Sequence, residues 1–257
     1  MASDKTIILI TGASSGIGLE TVLALAQESQ DFEILLGSRS VEKGQKALED
    51  LRSSHADSLK SSISVIQIDI TDQKSILAAK EEIETRFERL DVLINNAGII
   101  VTRPCDTLTN LRETFETNVF GPAIVTEAFE PLLRKSSSPR LIYVSSDQGS
   151  ISNRLDPAYK YYKARGDHYR MSKSALNMLS ACHRVNYAEF GFKVCAFNPG
   201  FCVTNLTGER GRMMRIEHGA RDSRDAAVAL VGVVIGKRDA DIEKSGIVDL
   251  DGGVIPW

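Results

Sequence analysis

An apolar run, Ile7 to Ile10, ends in Thr11-Gly12-Ala13-Ser14-Ser15-Gly16-Ile17-Gly18 and passes directly into Leu19 to Ala26, where apolar residues take helical spacing. A strand that turns so tightly into a helix sets the unpaired N–H groups of the helix start beside the strand end. Gly12 permits the turn, Gly16 lets backbone approach a pyrophosphate, and Gly18 lets the helix pack close to the strand. With Ser14, Ser15 and Ile17 between them, these residues form a cradle for a dinucleotide phosphate. The same glycines would also suit a plain structural turn, so the rest of the chain has to decide.

Short β-rich runs recur at Ile7–Ile10, Glu33–Leu36, Ile63–Ile68, Val92–Ile94, Arg140–Val144, Lys193–Phe197 and Gly246–Leu250. Amphipathic stretches separate them; Gln73 to Arg89, for example, carries Ile76, Leu77, Ala79, Ile83 and Phe87 at helical spacing. This alternation predicts a parallel sheet covered by helices on both faces, with ligands bound beyond the carboxyl ends of the strands. At 257 residues a single domain over 1–257 is expected.

With 42% hydrophobic and 25% charged residues the composition is that of an ordinary globular protein. A net charge of −3, with only short basic stretches, gives no reason to expect nucleic acid as a partner. Cys105, Cys182, Cys195 and Cys202 form no CxxC pair and no metal-ligand spacing with histidine, so no metal is expected, and the thiols are expected to be free and mostly buried. No apolar run is long enough for a membrane span or signal sequence, and a cytoplasmic enzyme is the expectation.

Asn95-Asn96-Ala97-Gly98 follows the fourth strand, Tyr169-Arg170-Met171-Ser172-Lys173 lies further on, and Pro199-Gly200 follows the sixth strand. Together with Thr11 to Gly18, in this order, these motifs resemble the short-chain dehydrogenases/reductases from about Lys5 to Gly253. Within that family, Glu42-Lys43-Gly44-Gln45 and Gln67-Ile68-Asp69-Ile70 look most like the NADPH-dependent carbonyl reductase branch. The resemblance implies an α/β fold, a Rossmann-like doubly wound parallel sheet of about seven strands, and a nicotinamide cofactor.

On that reading Tyr169 and Lys173 are the catalytic pair. Their i, i+4 spacing puts both on one face of a helix, where the ammonium should lower the phenol toward working pH. Tyr169 then gives its proton to a carbonyl oxygen as hydride arrives. Tyr159 and Lys163 also satisfy YxxxK, but they run into the loop-like Ala164-Arg165-Gly166-Asp167. Ser146 matches the family serine that donates to the substrate carbonyl, and strand alternation turns Ser145 the other way. Asn118 matches the asparagine that holds a water behind the lysine, or it simply stabilises a helix kink.

The second strand ends in Ser38-Arg39 with no carboxylate at the position where NAD-preferring members carry one. Arg39 suits a 2′-phosphate, so NADP(H) is the expected cofactor. Asp69 and Ile70 are expected near adenine, and Asn95, Ala97 and Gly98 are expected to pass close to the adenosine ribose by backbone approach. Pro199, Gly200 and Thr204 match the family's PGxxxT, which orients the nicotinamide carboxamide.

The stretch from Ser146 to Tyr169 is about ten residues longer than in common members of the family, and Asn153 to His168 is polar and tyrosine-rich. Longer insertions accompany monomers in the carbonyl reductase branch, and monomer and homo-oligomer both stay open. Residues 205–221 are expected to form a substrate lid. Their Leu206, Met213 and Met214, with Arg210, Arg212 and Arg215, suit a bulky small-molecule ketone with a polar or acidic part. The expected activity is NADPH-dependent reduction of a ketone or aldehyde. Alternatives are a dehydration or cyclisation of secondary metabolism on the same scaffold, or a nonenzymatic NADPH-binding regulator.

Overall fold

The computed structural model describes residues 5–257. β-branched and leucine-rich runs form strands β1 (Thr6–Ile10), β2 (Phe32–Ser38), β3 (Ser62–Gln67), β4 (Val92–Asn95), β5 (Arg140–Val144), β6 (Lys193–Asn198), β7 (Ile247–Asp249) and β8 (Val254–Ile255). They make one sheet in the order β3-β2-β1-β4-β5-β6-β7-β8. All neighbours pair in parallel except β7 and β8, which are antiparallel. The seven expected strands are present, and β8 is additional: a two-residue strand reversed through Asp251-Gly252-Gly253, too short to show a period.

The helices are α1 (Gly16–Glu28), α2 (Val41–His55), α3 (Gln73–Phe87), α4 (Thr107–Phe115), α5 (Gly121–Leu133), α6 (Ile151–Leu155), α7 (Asp167–Asn186), α8 (Gly208–Glu217), α9 (Ser223–Val234) and α10 (Asp239–Ile242). Successive strand side chains point to opposite faces, which builds two cores. Ile8, Ile10, Ile34 and Leu36 pack with Val22 of α1 and Leu230 of α9, whereas Ile7, Leu9, Leu35 and Leu93 pack with Ile83 of α3 and Phe129 of α5. The chain leaves β1 toward β2 and β3, then returns to β4 on the other side of β1. That reversal opens a crevice at the carboxyl ends of β1 and β4, where ligands of such sheets bind.

Cys195 and Cys202 are buried as expected, but Cys105 and Cys182 are exposed, so half of the thiols meet solvent. No helix among the described residues is long and apolar enough to cross a membrane.

Candidate active site

A cleft of about 1020 Å³ opens in this crevice. The glycine turn and the first residues of α1 line it at one side, Ser38, Arg39 and Lys43 at one end, and Tyr169 and Lys173 at the other. Each glycine has the geometry its role requires. Gly12 has φ +63, and a Cβ there would meet the Ala97 Cα at 2.8 Å; a Cβ on Gly18 would meet the Asn96 side chain at 2.5 Å. Gly16 has φ +57 and opens toward Thr204, whose Cβ would lie 3.5 Å from an added methyl, so a side chain there would fill the cleft. No side chain caps α1, which leaves the N–H groups of its first turn for an anion.

The adenosine end combines expected and unexpected residues. Asp69, Ile70, Ala97, Gly98, Pro199 and Thr204 border the cleft. The Ser38 hydroxyl donates to the Ser40 carbonyl (2.8 Å), shaping the turn, and Ser40 caps α2 by accepting the Lys43 N–H (3.2 Å). Lys43, on the first turn that this cap holds, lines the cleft as Arg39 does, a second cation not among the expected site residues. Asn95 and Gly200 are not among the residues that line the cleft. Alternation along β4 turns Asn95 away, to donate to Thr126 (3.1 Å), and Asn96 borders the cleft in its stead. Gly200, at φ +73, faces Leu250 and a smaller cavity behind the loop.

At the catalytic end, α7 carries Tyr169 and the buried Lys173 on one face, the lysine Nζ 5.8 Å from the phenol ring centre. Lys173 donates to the Val144 carbonyl at 2.9 Å, and burial lowers its pKa to about 8. The expectation that Lys173 would lower the phenol is not met. Burial pushes Tyr169 up to about 12, outweighing the Arg215 charge and a hydrogen bond with Ser146, which both pull it down. The phenol is therefore protonated at neutral pH. Ser146 accepts the Gln148 N–H (3.1 Å) and donates to Asp147 (3.2 Å), whereas the Ser145 hydroxyl turns to Asn177, as the alternation requires.

Asn118 sits fully buried in a π-helical turn, Glu116–Phe120, between α4 and α5. Its Oδ1 accepts the Ile99 N–H (2.8 Å), and its Nδ2 donates to the Ile99 carbonyl (3.0 Å) and the Ser172 hydroxyl (3.1 Å). The π-helical turn is present, but the amide is spent on the segment after β4 and on α7 and not on the turn itself. Gly149 fixes α7 against the strand end, because a Cβ there would lie 2.7 Å from the Lys173 carbonyl carbon. Gly149→Ala should cost about 1–3 kcal/mol in unfolding free energy and slow turnover by displacing Lys173; chemical denaturation with steady-state rates checks both.

The second YxxxK does not lie on a helix: Tyr159 to Lys163 form consecutive turns, and Lys163 is exposed. Arg154 and Arg170 pin the insertion by donating to the carbonyls of Tyr161, Tyr162 and Ala164. Tyr159 is carried in beside Asp147, which together with burial raises its phenol. Within residues 205–221, where a lid is expected, the chain forms α8, and the stretch is closed at its base where the Val203 N–H donates to the Arg221 carbonyl at 2.8 Å and the Arg221 N–H to the Phe201 carbonyl at 2.9 Å.

Comparisons with known proteins show the family and the fold. The short chain dehydrogenase family profile matches residues 6–215. A short-chain dehydrogenase of Penicillium roqueforti, anuI, is 41% identical over 228 residues, 86% of this chain and 87% of that one. A short-chain dehydrogenase/reductase of Talaromyces stipitatus, tropE, is 34% identical across 99% of both chains. The NADPH-bound carbonyl reductase from chicken fatty liver superimposes over the full length of both chains, with a TM-score of 0.77 and 27% identity. The carbonyl reductase Sniffer of Drosophila melanogaster also covers both chains, at TM-score 0.74 and 26% identity.

The chain belongs to the short-chain dehydrogenases/reductases. Its Rossmann-like sheet, its cleft for a nicotinamide cofactor and its oxidoreductase class, acting between CH–OH and C=O, follow from that membership.

Proposed function

We propose that this protein is an NADPH-dependent reductase that converts a small-molecule ketone or aldehyde to its alcohol, with Tyr169 as general acid. The observation that carries the reading is that Tyr169 and Lys173 line a phosphate-cradling cleft, with Ser146 in hydrogen-bond reach of the Tyr169 phenol. The bound dihydronicotinamide would supply the hydride.

Ser146 and Tyr169 hold the substrate carbonyl oxygen from two sides, and Tyr169 gives up its proton as negative charge develops there. Burial raises the phenol to about 12, so at neutral pH it is held in the protonated form that reduction requires. Lys173 keeps a positive charge beside the phenol and stabilises the phenolate left after proton transfer. With the Asn118 amide spent on Ile99 and Ser172, a water behind Lys173 would rest on the Asn118 backbone carbonyl. Pro199 and Thr204 orient the nicotinamide. Preference for NADPH is supported by Arg39 and Lys43 at the end of the cleft, where no carboxylate stands in the β2 turn, and by the NADPH-bound avian structure.

The test is stoichiometry: one NADPH oxidised per alcohol formed, with NADH much the poorer donor. Product formed without cofactor consumption would instead assign a dehydration or cyclisation. A further expectation concerns pH. Burial lowers the Lys173 pKa, so its charge is present below about 8 and lost above. kcat/KM for the carbonyl at saturating NADPH, which runs from the enzyme–NADPH complex through the chemical step, should be level near neutrality and fall about tenfold per pH unit well above pH 8. A profile level to pH 10 would separate Lys173 from the chemistry.

A further inference from the structure

Behind the Pro199-Gly200 turn lies a second cavity of about 330 Å³, and no residue lines both it and the cofactor cleft. Its inner wall is acidic and aromatic. Asp147, after β5, keeps 8% of its surface exposed and is fixed there by the buried Asn198 at the end of β6. The Asn198 Oδ1 accepts the Asp147 N–H at 3.0 Å, and its Nδ2 donates to the carboxylate of Asp249, at the end of β7, at 2.7 Å. Both acids of the wall are thus set by one amide. The rings of Phe201 and of Tyr161 from the insertion, centres 6.2 Å apart, line the same cavity.

The charges around this cavity are unevenly matched. At the exposed rim Arg221 pairs with Asp251, His218 Nδ1 lies 2.8 Å from the Met214 carbonyl oxygen, and the Lys160 ammonium lies over the Tyr161 ring, 4.8 Å from its centre. Each rim base is engaged. Asp147 is not: among the described residues no cation lies within ion-pair distance of it. The Ser146 hydroxyl reaches only its Oδ1, and the Tyr159 phenol beside it is neutral. A buried carboxylate without a positive partner is costly. The donor set does not suit a metal ion, because the described residues include no group of three His, Cys, Asp or Glu side chains able to hold one. It suits an organic ammonium, which is attracted both to a carboxylate and to aromatic rings.

We propose that this second cavity binds a small organic ammonium ion, its charge on Asp147 and its carbon atoms against Phe201 and Tyr161. The occupant is felt at the catalytic serine. Asp147 Oδ1 accepts the Ser146 hydroxyl at 3.2 Å, so a cation on that carboxylate weakens its hold on the Ser146 proton and frees it for the carbonyl oxygen. Binding is independent of the reductase reading, whereas the effect on rate rests on it.

Isothermal titration calorimetry on the full chain tests the binding, with n-butylammonium beside n-butanol and butyrate, and choline beside its neutral carbon analogue 3,3-dimethyl-1-butanol. In the wild type each ammonium should bind at least about 10-fold more tightly than its neutral partner, a comparison that needs no variant. That margin should shrink at least about fivefold in Asp147→Asn, whereas Phe201→Leu should keep it and weaken choline by about two- to fivefold. Equal affinity of charged and neutral partners, a margin unchanged in Asp147→Asn, or no ammonium binding up to about 100 mM would overturn the proposal. Butyrate binding ahead of n-butylammonium would also overturn it, assigning the cavity to its rim bases. The coupling is read from kcat/KM for a neutral ketone with and without saturating choline. About a 2- to 10-fold rise is expected in the wild type and none in Asp147→Asn. Binding with no change in rate would overturn the coupling to Ser146. If no ketone oxidises NADPH in the wild type, the reductase reading fails while the calorimetric result stands.

Discussion

Tyr169→Phe should abolish reduction, lowering kcat by about 1000-fold, within the range expected for removal of a positioned general acid. NADPH should still bind within a few-fold of wild type, because the ring that borders the cleft is retained. Burial holds the Tyr169 phenol at about 12, so it is a proton store at neutral pH, and no other hydroxyl on α7 replaces it. Ser172 is buried and donates to the Tyr169 carbonyl at 2.7 Å. Tyr159→Phe is the matched control. Its hydroxyl is buried beside Asp147 on a turn, away from Lys173, and the chemical step should survive its loss. Single-turnover rates with preformed enzyme–NADPH separate the two variants; loss of the chemical step in Tyr159→Phe with retention in Tyr169→Phe would reverse the assignment.

Arg39→Asp should weaken NADPH by about 100- to 1000-fold and NADH by far less. The substitution removes a charge-assisted contact and sets a carboxylate where a 2′-phosphate would lie, so loss of attraction and new repulsion add. Lys43 borders the same end of the cleft and cannot cancel the repulsion alone. The acid would also supply an acceptor for a ribose hydroxyl, shifting preference toward NADH. Fluorescence titration of both reduced cofactors measures the switch. A parallel loss of both would take Arg39 out of the phosphate site and leave its effect to the turn after β2.

What could be read from the chain follows the range over which each signal acts. The glycine turn, strand alternation and the Tyr169–Lys173 spacing are local, and each reappears in three dimensions. The same local reasoning, carried one residue further, would have separated Asn95 from Asn96: a strand that points Ile94 into one core points Asn95 to the other side, where Thr126 waits. Lys43 escaped because its position depends on a cap at Ser40 and on how α2 leaves β2. The phenol of Tyr169 went the other way from the spacing argument because i, i+4 spacing reports proximity, whereas burial depends on tertiary packing that the spacing does not encode. Arg210, Arg212 and Arg215 look alike in sequence. Only the turn of α8 on its closed base buries the third and exposes the others.

The central claim is that hydride passes from the cofactor to a carbonyl while Tyr169 supplies the proton. Its most direct test uses NADPH carrying deuterium at the transferable C4 position, over a panel of aliphatic, aromatic and bicyclic ketones, with wild type and Tyr169→Phe side by side. The account predicts alcohol with deuterium on the carbinol carbon from the wild type, one NADPH consumed per product, and almost none from Tyr169→Phe. Product without deuterium, or cofactor oxidation that proceeds at the wild-type rate in Tyr169→Phe, would contradict it.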